Sequence, residues 1–296
     1  MDAIFTKLKE SFRSGSVLMK LIYINVGLFI LLRLLAVVFL LFNMQGDLLL
    51  YLQLPSSVGL FLMRPWTIFS YMFTHFDFLH ILFNMLWLYW FGGIFSRFFT
   101  DRQLGGLYLL GGLAGGLLFM VAYNLLPYFR DVSDFSFLMG ASASVMAIVF
   151  AISFYQKELE INLLFIGRVK LIYLALFTFL LDFLAITSDN AGGHIAHIGG
   201  ALFGIWYAAA YSKGKDLTAP INRILDWVVN LGKKKPKKSK MRVTYKRNEM
   251  DYEYNARKHR EEEELNAILD KLKRSGFECL SEEEKQRLFD ESNKQK

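Results

Sequence analysis

The segment GASASVMAIVF, residues 140–150, places two serines and a glycine at the head of an otherwise apolar run. Apolar residues continue to about residue 156, which predicts a membrane-spanning helix. Polar side chains inside such a helix are candidates for function, because lipid offers them no hydrogen bonds. Residues two apart point about 200° from each other around a helix, so the serines cannot share a partner. Ser144 lies four residues after Gly140 on a small-residue face suited to helix packing, which makes Ser142 the candidate for chemistry.

Further apolar runs lie on both sides of this segment. Of the 296 residues, 54% are hydrophobic, which exceeds the usual fraction in soluble domains. A transmembrane helix needs roughly 20 apolar residues. The runs predict six such helices, at about 17–43, 78–96, 103–126, 140–156, 169–187 and 192–212. The segment 44–77 is apolar but interrupted by proline and glycine, so we expect it at the membrane interface. The predicted fold class is an all-α membrane protein with a six-helix bundle.

Basic residues predict the orientation of these helices. They concentrate in the N-terminal flank, in the loops after the second and fourth spans, and in the tail. The flank carries Lys7, Lys9, Arg13 and Lys20, the loop after the second span carries Arg97 and Arg102, and the loop after the fourth span carries Lys157, Arg168 and Lys170. The alternate loops carry only Arg64 and Arg130. Because cytoplasmic loops are enriched in lysine and arginine, both termini are predicted to be cytoplasmic. We expect a multi-pass integral membrane protein, located in a bacterial cytoplasmic (inner) membrane.

Composition divides the chain into four parts. They are a cytoplasmic flank (1–16), a membrane domain (17–212), a juxtamembrane segment (213–247) and a cytoplasmic helical tail (248–296). Residues 213–296 carry 22 of the 34 lysines and arginines. A nucleic-acid-binding protein would also be basic, but it would not carry so apolar a body, so we expect no nucleic-acid partner. The amphipathic segment 217–232 precedes a basic run, Lys233–Lys240, and this pattern predicts contact with the lipid bilayer and with anionic lipid.

The last part, 248–296, is predicted to be a helical hairpin. Its first helix has a stripe of apolar residues, Leu265, Ile268, Leu269 and Leu272. Ser281 and Glu284 form a capping box at the start of the second helix. Leu288 and Phe289 are predicted to face inward. Such a hairpin is too small for a sturdy core of its own. Docking on an unknown cytoplasmic partner, docking on the membrane domain and a loosely folded tail all remain open.

Chemically capable residues recur at the outer ends of three predicted spans. The second span begins with His80 and Asn84, the fourth with Ser142, and the sixth with His194 and His197. A serine hydroxyl is a weak nucleophile unless a base removes its proton. His197 is the natural base, because a neutral imidazole can accept a proton near pH 7.

The pattern predicts a Ser–His dyad with nearby oxyanion donors. No carboxylate stands beside His197 in the sequence, and Asp182, near the outer end of the fifth span, is interpreted as structural. The N-terminus of the helix that begins near Ser142 offers unpaired backbone N–H groups. His80 and Asn84 lie four residues apart, on one helix face, and can supply further donors for the oxyanion.

Each of these residues also has a purely structural interpretation. Ser142 could cap its helix, His80 and Asn84 could bond between helices, and His194 is interpreted as a loop residue at the water interface. The spacing of His194 and His197 could suit a metal. However, no HExxH occurs, and the other histidines near them are His75 and His80, so neither a metal nor another cofactor is expected.

Three motifs resemble those of the rhomboid intramembrane serine proteases. HILFNMLW (His80, Asn84), GASA (Gly140 to Ala143) and AHIGGALFG (His197 to Gly204) are similar to the family patterns H-x-x-x-N, G-x-S-G and A-H-x-x-G, in order. The resemblance covers about 60–212. It implies a six-helix rhomboid bundle that cleaves transmembrane protein substrates near the outer membrane surface after lateral entry. It also implies Ser142 as nucleophile, His197 as base, and His80 and Asn84 as oxyanion-hole residues.

Two supporting positions near the serine are informative. Gly140 fits the family pattern, whereas Ala143 stands where glycine is usual and adds a methyl group at a crowded place. Met146 occupies a position where an aromatic ring often packs on the catalytic imidazole, and a thioether can replace that contact in part. The main alternative is a non-catalytic rhomboid-fold protein that binds or dislocates membrane clients; Ser142 and His197 argue against it. A transporter would be expected to show internal repeats or charged pathway residues, and the sequence shows neither.

Overall fold

A computed structural model of the chain describes residues 12, 14–44, 46, 48–75, 77–163, 167–230 and 251–294. The predictions made for Lys7, Lys9, Arg13 and the basic run 233–240 lie outside these residues. The chain forms two compact units, residues 1–233 and 234–296.

Among its described residues the first unit contains six long helices, and each matches a predicted span to within three residues at either end. They are α1 Val17–Leu41, α4 Phe78–Phe95, α5 Asp101–Leu125, α6 Ser142–Tyr155, α7 Leu171–Leu184 and α8 Ala191–Tyr211. The segment predicted at the interface contains two short helices, α2 Val58–Met63 and α3 Thr67–Ser70. The unit also contains two small antiparallel strand pairs: β1 Leu54–Pro55 with β2 Phe137–Leu138, and β3 Glu160–Leu163 with β4 Gly167–Lys170.

Helices α1, α4 and α5 are the three, among the described residues, that are long and apolar enough to cross a membrane. Helices α6 and α7 are apolar but have 14 residues each. At 1.5 Å per residue they rise about 21 Å, less than the roughly 30 Å of a hydrocarbon core. Helix α8 has 21 residues, but its glycines and histidines dilute its apolar character. Three spans therefore follow from length and composition alone.

Side-chain caps set where the long helices begin. Asp77 precedes α4 and accepts a hydrogen bond from the backbone N–H of His80 at 2.8 Å, which holds His80 in the first turn. Thr100 and Gln103 form a capping box at the start of α5. The carboxylate of Asp101 accepts from the backbone N–H of Val17 at 2.9 Å and ties the start of α5 to that of α1.

Helix α6 is the centre of the bundle, since it is buried from Ala143 to Ser153. Small residues on its neighbours allow this. A Cβ atom placed on Gly111 of α5 would overlap the side chain of Ala147, and one placed on Gly204 of α8 would overlap the carbonyl of Ala147. In lipid, close backbone approach of this kind replaces the hydrophobic effect as the source of helix association.

The outward surfaces of α1 and α7 are mostly apolar. Their exposed residues include Leu34, Leu40, Leu41, Phe177, Leu180, Phe183 and Leu184. So many exposed apolar side chains are stable against hydrocarbon and would favour aggregation in water.

The start of α6 differs from the prediction in one respect. Gly140 lies before the helix, with φ +116°, and its N–H donates to the carbonyl of Tyr71 at 2.9 Å. The prediction that Gly140 and Ser144 share a helix face is therefore wrong, because the backbone turns at the glycine. Ser144 itself is fully buried, 4.0 Å from Met72 Sδ and against Gly112 of α5.

The amphipathic segment folds as α9, Ala219–Asn230, within the first unit. Its Asp226 pairs with Arg102 of α5 at 2.9 Å. The apolar residues Ile224, Trp227, Val228 and Val229 are more than half exposed. An exposed apolar face on a helix joined to a membrane bundle suits the membrane interface.

The second unit contains α10 Asp251–Ser275 and α11 Glu282–Lys294, separated at Gly276, whose φ is +79°. The predicted capping box forms, with Ser281 N–H donating to Glu284 at 2.8 Å and Glu284 N–H donating to Ser281 at 3.3 Å. The prediction that Phe289 faces inward is wrong, since it is 69% exposed. Adjacent helical residues differ by about 100°, so Leu288 and Phe289 cannot both face one partner helix.

Candidate active site

A cavity of about 580 Å³ opens among α4, α6, α7 and α8. It contains all four residues predicted to act in catalysis, together with the predicted supporting residue Met146: His80, Asn84, Ser142, Met146 and His197. Its other walls include aromatic and apolar side chains, among them Phe83, Trp87, Val145 and Leu181. Three clusters that are far apart in the sequence therefore meet in one place.

The backbone just before Ser142 is held by two hydrogen bonds from other parts of the chain. One is the bond from Gly140 to Tyr71, and the other runs from the N–H of Ala141 to Nε2 of His75 at 3.3 Å. His75 is 2% exposed, and because its Nε2 accepts, its Nδ1 carries the proton. The sequence gives His75 no role in the site beyond that of a further histidine near a possible metal pair. Its position five residues before His80 gave no sign of this backbone contact.

Close packing of α6 on α8 brings Ser142 and His197 to one level of the bundle. Ala143, next to Ser142, is 1% exposed. A Cβ atom on Gly200, three residues after His197, would overlap the carbonyl of Ala143. A Cβ atom on Gly115 of α5 would lie 2.5 Å from the Ala143 methyl group. The glycines facing Ala143 thus make room for the methyl group that departs from the family pattern.

His80 and the segment around Ser142 are close together. A Cβ atom on Gly140 would lie 2.7 Å from Nε2 of His80 and 3.7 Å from Oγ of Ser142. Asn84 donates one N–H of its side-chain amide to the carbonyl of His80 at 2.9 Å. An amide nitrogen carries two hydrogens, so this bond uses one of them. Asn84 is 8% exposed and lines the cavity, where the amide can serve as a donor.

Asp182 corrects the prediction that no carboxylate stands beside His197. Its Oδ1 lies 2.9 Å from Nδ1 of His197 and 2.8 Å from Nδ1 of His194. Helices α7 and α8 are joined by the short segment 185–190, so the last turn of α7 lies beside the first turns of α8. The one available signal was that Asp182 is the single acidic residue in the predicted fifth span.

His194 also differs from its interpretation as a loop residue. It is the fourth residue of α8, and its side chain is 23% exposed. Its bond to Asp182 places it inside the bundle's polar cluster, because the helix begins at Ala191 and the ring turns toward α7.

Asp182, His194 and His197 could also hold a metal ion. Their ligand atoms all lie within 4.8 Å of one another, and two imidazoles with one carboxylate suit several divalent metals. The expectation of no metal rested on the histidines alone and did not consider Asp182.

Comparisons with known proteins agree with this architecture. The Rhomboid domain matches residues 63–214, and a family of unknown function, DUF6576, matches residues 248–294. RHOMBOID-like protein 12, mitochondrial, of Arabidopsis thaliana is 30% identical over 161 residues, which are 51% of this chain and 48% of that protein. The Presenilin-associated rhomboid-like protein, mitochondrial, of Homo sapiens is 30% identical over 148 residues, 46% of this chain and 35% of that protein.

A bacterial relative is also similar. Rhomboid protease GlpG of Klebsiella pneumoniae strain 342 is 33% identical over 81 residues, 27% of this chain and 29% of that protein. The chain thus spans less than half the length of each of these relatives. The names of the first two give a mitochondrial location, so the expectation of a bacterial inner membrane finds no support in them. The rhomboid match nevertheless covers just over half of the chain, and three helices among the described residues are long and apolar enough to cross a membrane. It belongs to the rhomboid family and is an integral membrane protein.

Proposed function

We propose that the protein is an intramembrane serine endopeptidase that cleaves transmembrane protein substrates. The observation that carries the proposal is the meeting of Ser142, His197, His80 and Asn84 in one cavity inside the helix bundle. The printed name of the Klebsiella relative, a rhomboid protease, supports the same activity. The alternative is a rhomboid-fold protein that binds or dislocates clients without cutting them. Such a protein would have no need of a serine and an imidazole in one cavity.

The first half of the reaction forms an acyl-enzyme. Ser142 Oγ attacks the carbonyl carbon of the scissile peptide bond while its proton passes to Nε2 of His197. The carbonyl electrons move to oxygen, giving a tetrahedral intermediate. When the electrons return, the C–N bond breaks, and the proton on Nε2 passes to the departing nitrogen, which leaves as an amine.

The second half releases the new carboxyl end. Water attacks the ester carbon as Nε2 takes its proton, and a second tetrahedral intermediate forms. Its collapse breaks the bond to Oγ, which regains the proton from Nε2. The products are a carboxylic acid and free Ser142, so protons and electrons balance over the cycle.

The oxyanion of each intermediate needs donors arranged in advance. The first backbone N–H groups of α6 lack intrahelical partners, and the helix dipole is positive there. The imidazole of His80 and the amide of Asn84 face the same cavity. These donors give the developing charge hydrogen bonds that it could not find in lipid.

Substrate entry from the membrane fits the walls of the cavity. Phe83 and Trp87 of α4 and Thr178 and Leu181 of α7 line it. A substrate helix that arrives from lipid between these two helices would meet apolar side chains first and the polar groups behind them.

The proposed arrangement has six spans, with both termini on the basic, cytoplasmic side. In this proposal α9 and the basic run that follows it in the sequence bind anionic lipid.

The test is cleavage of a purified single-span substrate in detergent by the wild type and by Ser142→Ala. We expect Ser142→Ala to abolish cleavage while the protein remains folded. Ser144→Ala is the matched control, because Ser144 is buried in helix packing and alanine keeps the small surface. Normal cleavage by Ser142→Ala would refute the proposal. If the wild type lost cleavage after chelation and recovered it when zinc was added, the protein would be a metalloprotease instead.

A further inference from the structure

The carboxylate of Asp182 is a charged group on the cavity wall to which the proposed reaction gives no role. Its Oδ1 lies within hydrogen-bond distance of Nδ1 of both His194 and His197. The residue is 7% exposed, and with Leu171 and Ala175 it is one of the buried residues of α7. Burial of a carboxylate is costly unless it is hydrogen-bonded, and here both partners are imidazoles. One of those imidazoles is the proposed base.

We propose that Asp182 is a positioning residue that makes a Ser142–His197–Asp182 triad of the proposed dyad and binds His194 through the same oxygen. This inference rests on the proposed protease function. Asp182 does not touch the substrate; it acts through His197.

The first step of the argument is the tautomer of His197. An ionised carboxylate can only accept hydrogen bonds, so the Nδ1 atom 2.9 Å away must be the donor. In a neutral imidazole the proton on Nδ1 leaves the lone pair on Nε2. Nε2 is the atom that must take the proton of Ser142. Without Asp182, His197 could carry its proton on Nε2 instead, and the base would be lost.

The second step is charge. When His197 takes the proton of Ser142, it becomes an imidazolium whose side chain is 20% exposed, so solvent balances its charge only in part. The carboxylate beside Nδ1 lowers the free energy of that cation. Asp182 stays ionised throughout, and no proton moves to it.

The third step is the role of His194 as a second donor to the carboxylate. Its Nδ1 lies 2.8 Å from the same oxygen, and it stands one turn before His197 on α8. Two donors on one oxygen fix the side-chain rotamer of Asp182 better than one can. The carboxylate therefore remains in place as the charge of His197 changes during the cycle.

The test measures the tautomer of His197 and the kinetics of Asp182→Asn. The full chain is labelled with ¹⁵N at its five histidines, and His197 is assigned by comparison with His197→Gln. In the wild type at neutral pH we expect His197 to be protonated on Nδ1, with Nε2 carrying the lone pair. A wild-type His197 protonated on Nε2 would overturn the inference with no variant needed.

Asp182→Asn should lower kcat by roughly 10⁴-fold, as loss of the orienting carboxylate does in serine proteases. KM should change little, because Asp182 does not touch the substrate. Asp182→Glu should recover part of the rate, since it restores the charge. Asp189→Asn is the matched control, because Asp189 is exposed in the segment between α7 and α8, and it should keep wild-type kinetics.

The outcomes separate this inference from the proposed function. If Ser142→Ala is inactive and Asp182→Asn keeps the wild-type kcat, the triad is overturned and the dyad remains. An active Ser142→Ala overturns both. A purified wild type that holds one equivalent of zinc and loses activity with EDTA would make Asp182 a metal ligand and overturn the positioning role.

Discussion

Gly140 shows how a single residue sets the geometry of the site. Its φ of +116° turns the chain into α6, and its missing side chain leaves the space occupied by Nε2 of His80. Alanine at this position would combine a strained backbone with a contact of 2.7 Å to that nitrogen. The glycine therefore allows His80 to lie close to Ser142. It is not a packing position on a helix face.

His80 and Asn84 supply the prediction that belongs to single residues. His80→Ala and Asn84→Ala should each lower kcat by about 10²–10³-fold, the usual effect of losing one oxyanion donor. KM should change less, because these donors act mainly in the transition state. Leu82→Ala is the control, because Leu82 is an exposed residue of the same helix and does not line the cavity. Unchanged turnover in the double variant His80→Ala/Asn84→Ala would remove both residues from the site.

At this scale the sequence was most informative where a motif was local. His80, Asn84, Ser142, Met146 and His197 were chosen from short patterns, and all of them line one cavity. The contacts of Asp182 and His75 were missed for one reason. Each joins residues on different segments, at separations of 15 and 66 residues, and no local spacing reports such a contact.

Helices form the next scale, and the central helix α6 depends on glycine in its neighbours. Gly200→Ala should destabilise the bundle by roughly 1–3 kcal/mol, the range for overpacking, because the added methyl group meets the backbone carbonyl of Ala143. Thermal unfolding in detergent is the measurement. Gly93→Ala on α4 is the matched control, since nothing lies within 4 Å of its added Cβ atom. Equal melting temperatures for the two variants would contradict the close approach of α6 and α8.

Hydropathy located the six helices well because long apolar runs report burial or lipid contact directly. It could not tell three spans from six, since α6 and α7 are short and α8 is rich in glycine and histidine. The inward face assigned to Phe289 failed for a different reason. A two-helix hairpin buries only a narrow stripe, and apolar character alone does not tell which residues lie on it.

For the whole molecule, the division into two units gives a prediction about the tail. Every residue that lines the proposed active-site cavity belongs to the first unit. Deleting residues 241–296 should therefore leave cleavage of a model substrate in detergent largely intact. The measurement compares kcat and KM of the deletion variant with those of the full chain. A folded deletion variant that has lost cleavage would reveal a dependence of the cavity on the second unit.

The central claim is that Ser142 is an activated nucleophile, and labelling with a fluorophosphonate probe tests it most directly. The probe forms a covalent bond with an activated serine, and mass spectrometry identifies the labelled residue. We predict one label per chain on Ser142, abolished in Ser142→Ala, strongly reduced in His197→Ala and retained in Ser144→Ala. A label on another serine, or equal labelling of the wild type and Ser142→Ala, would contradict the account.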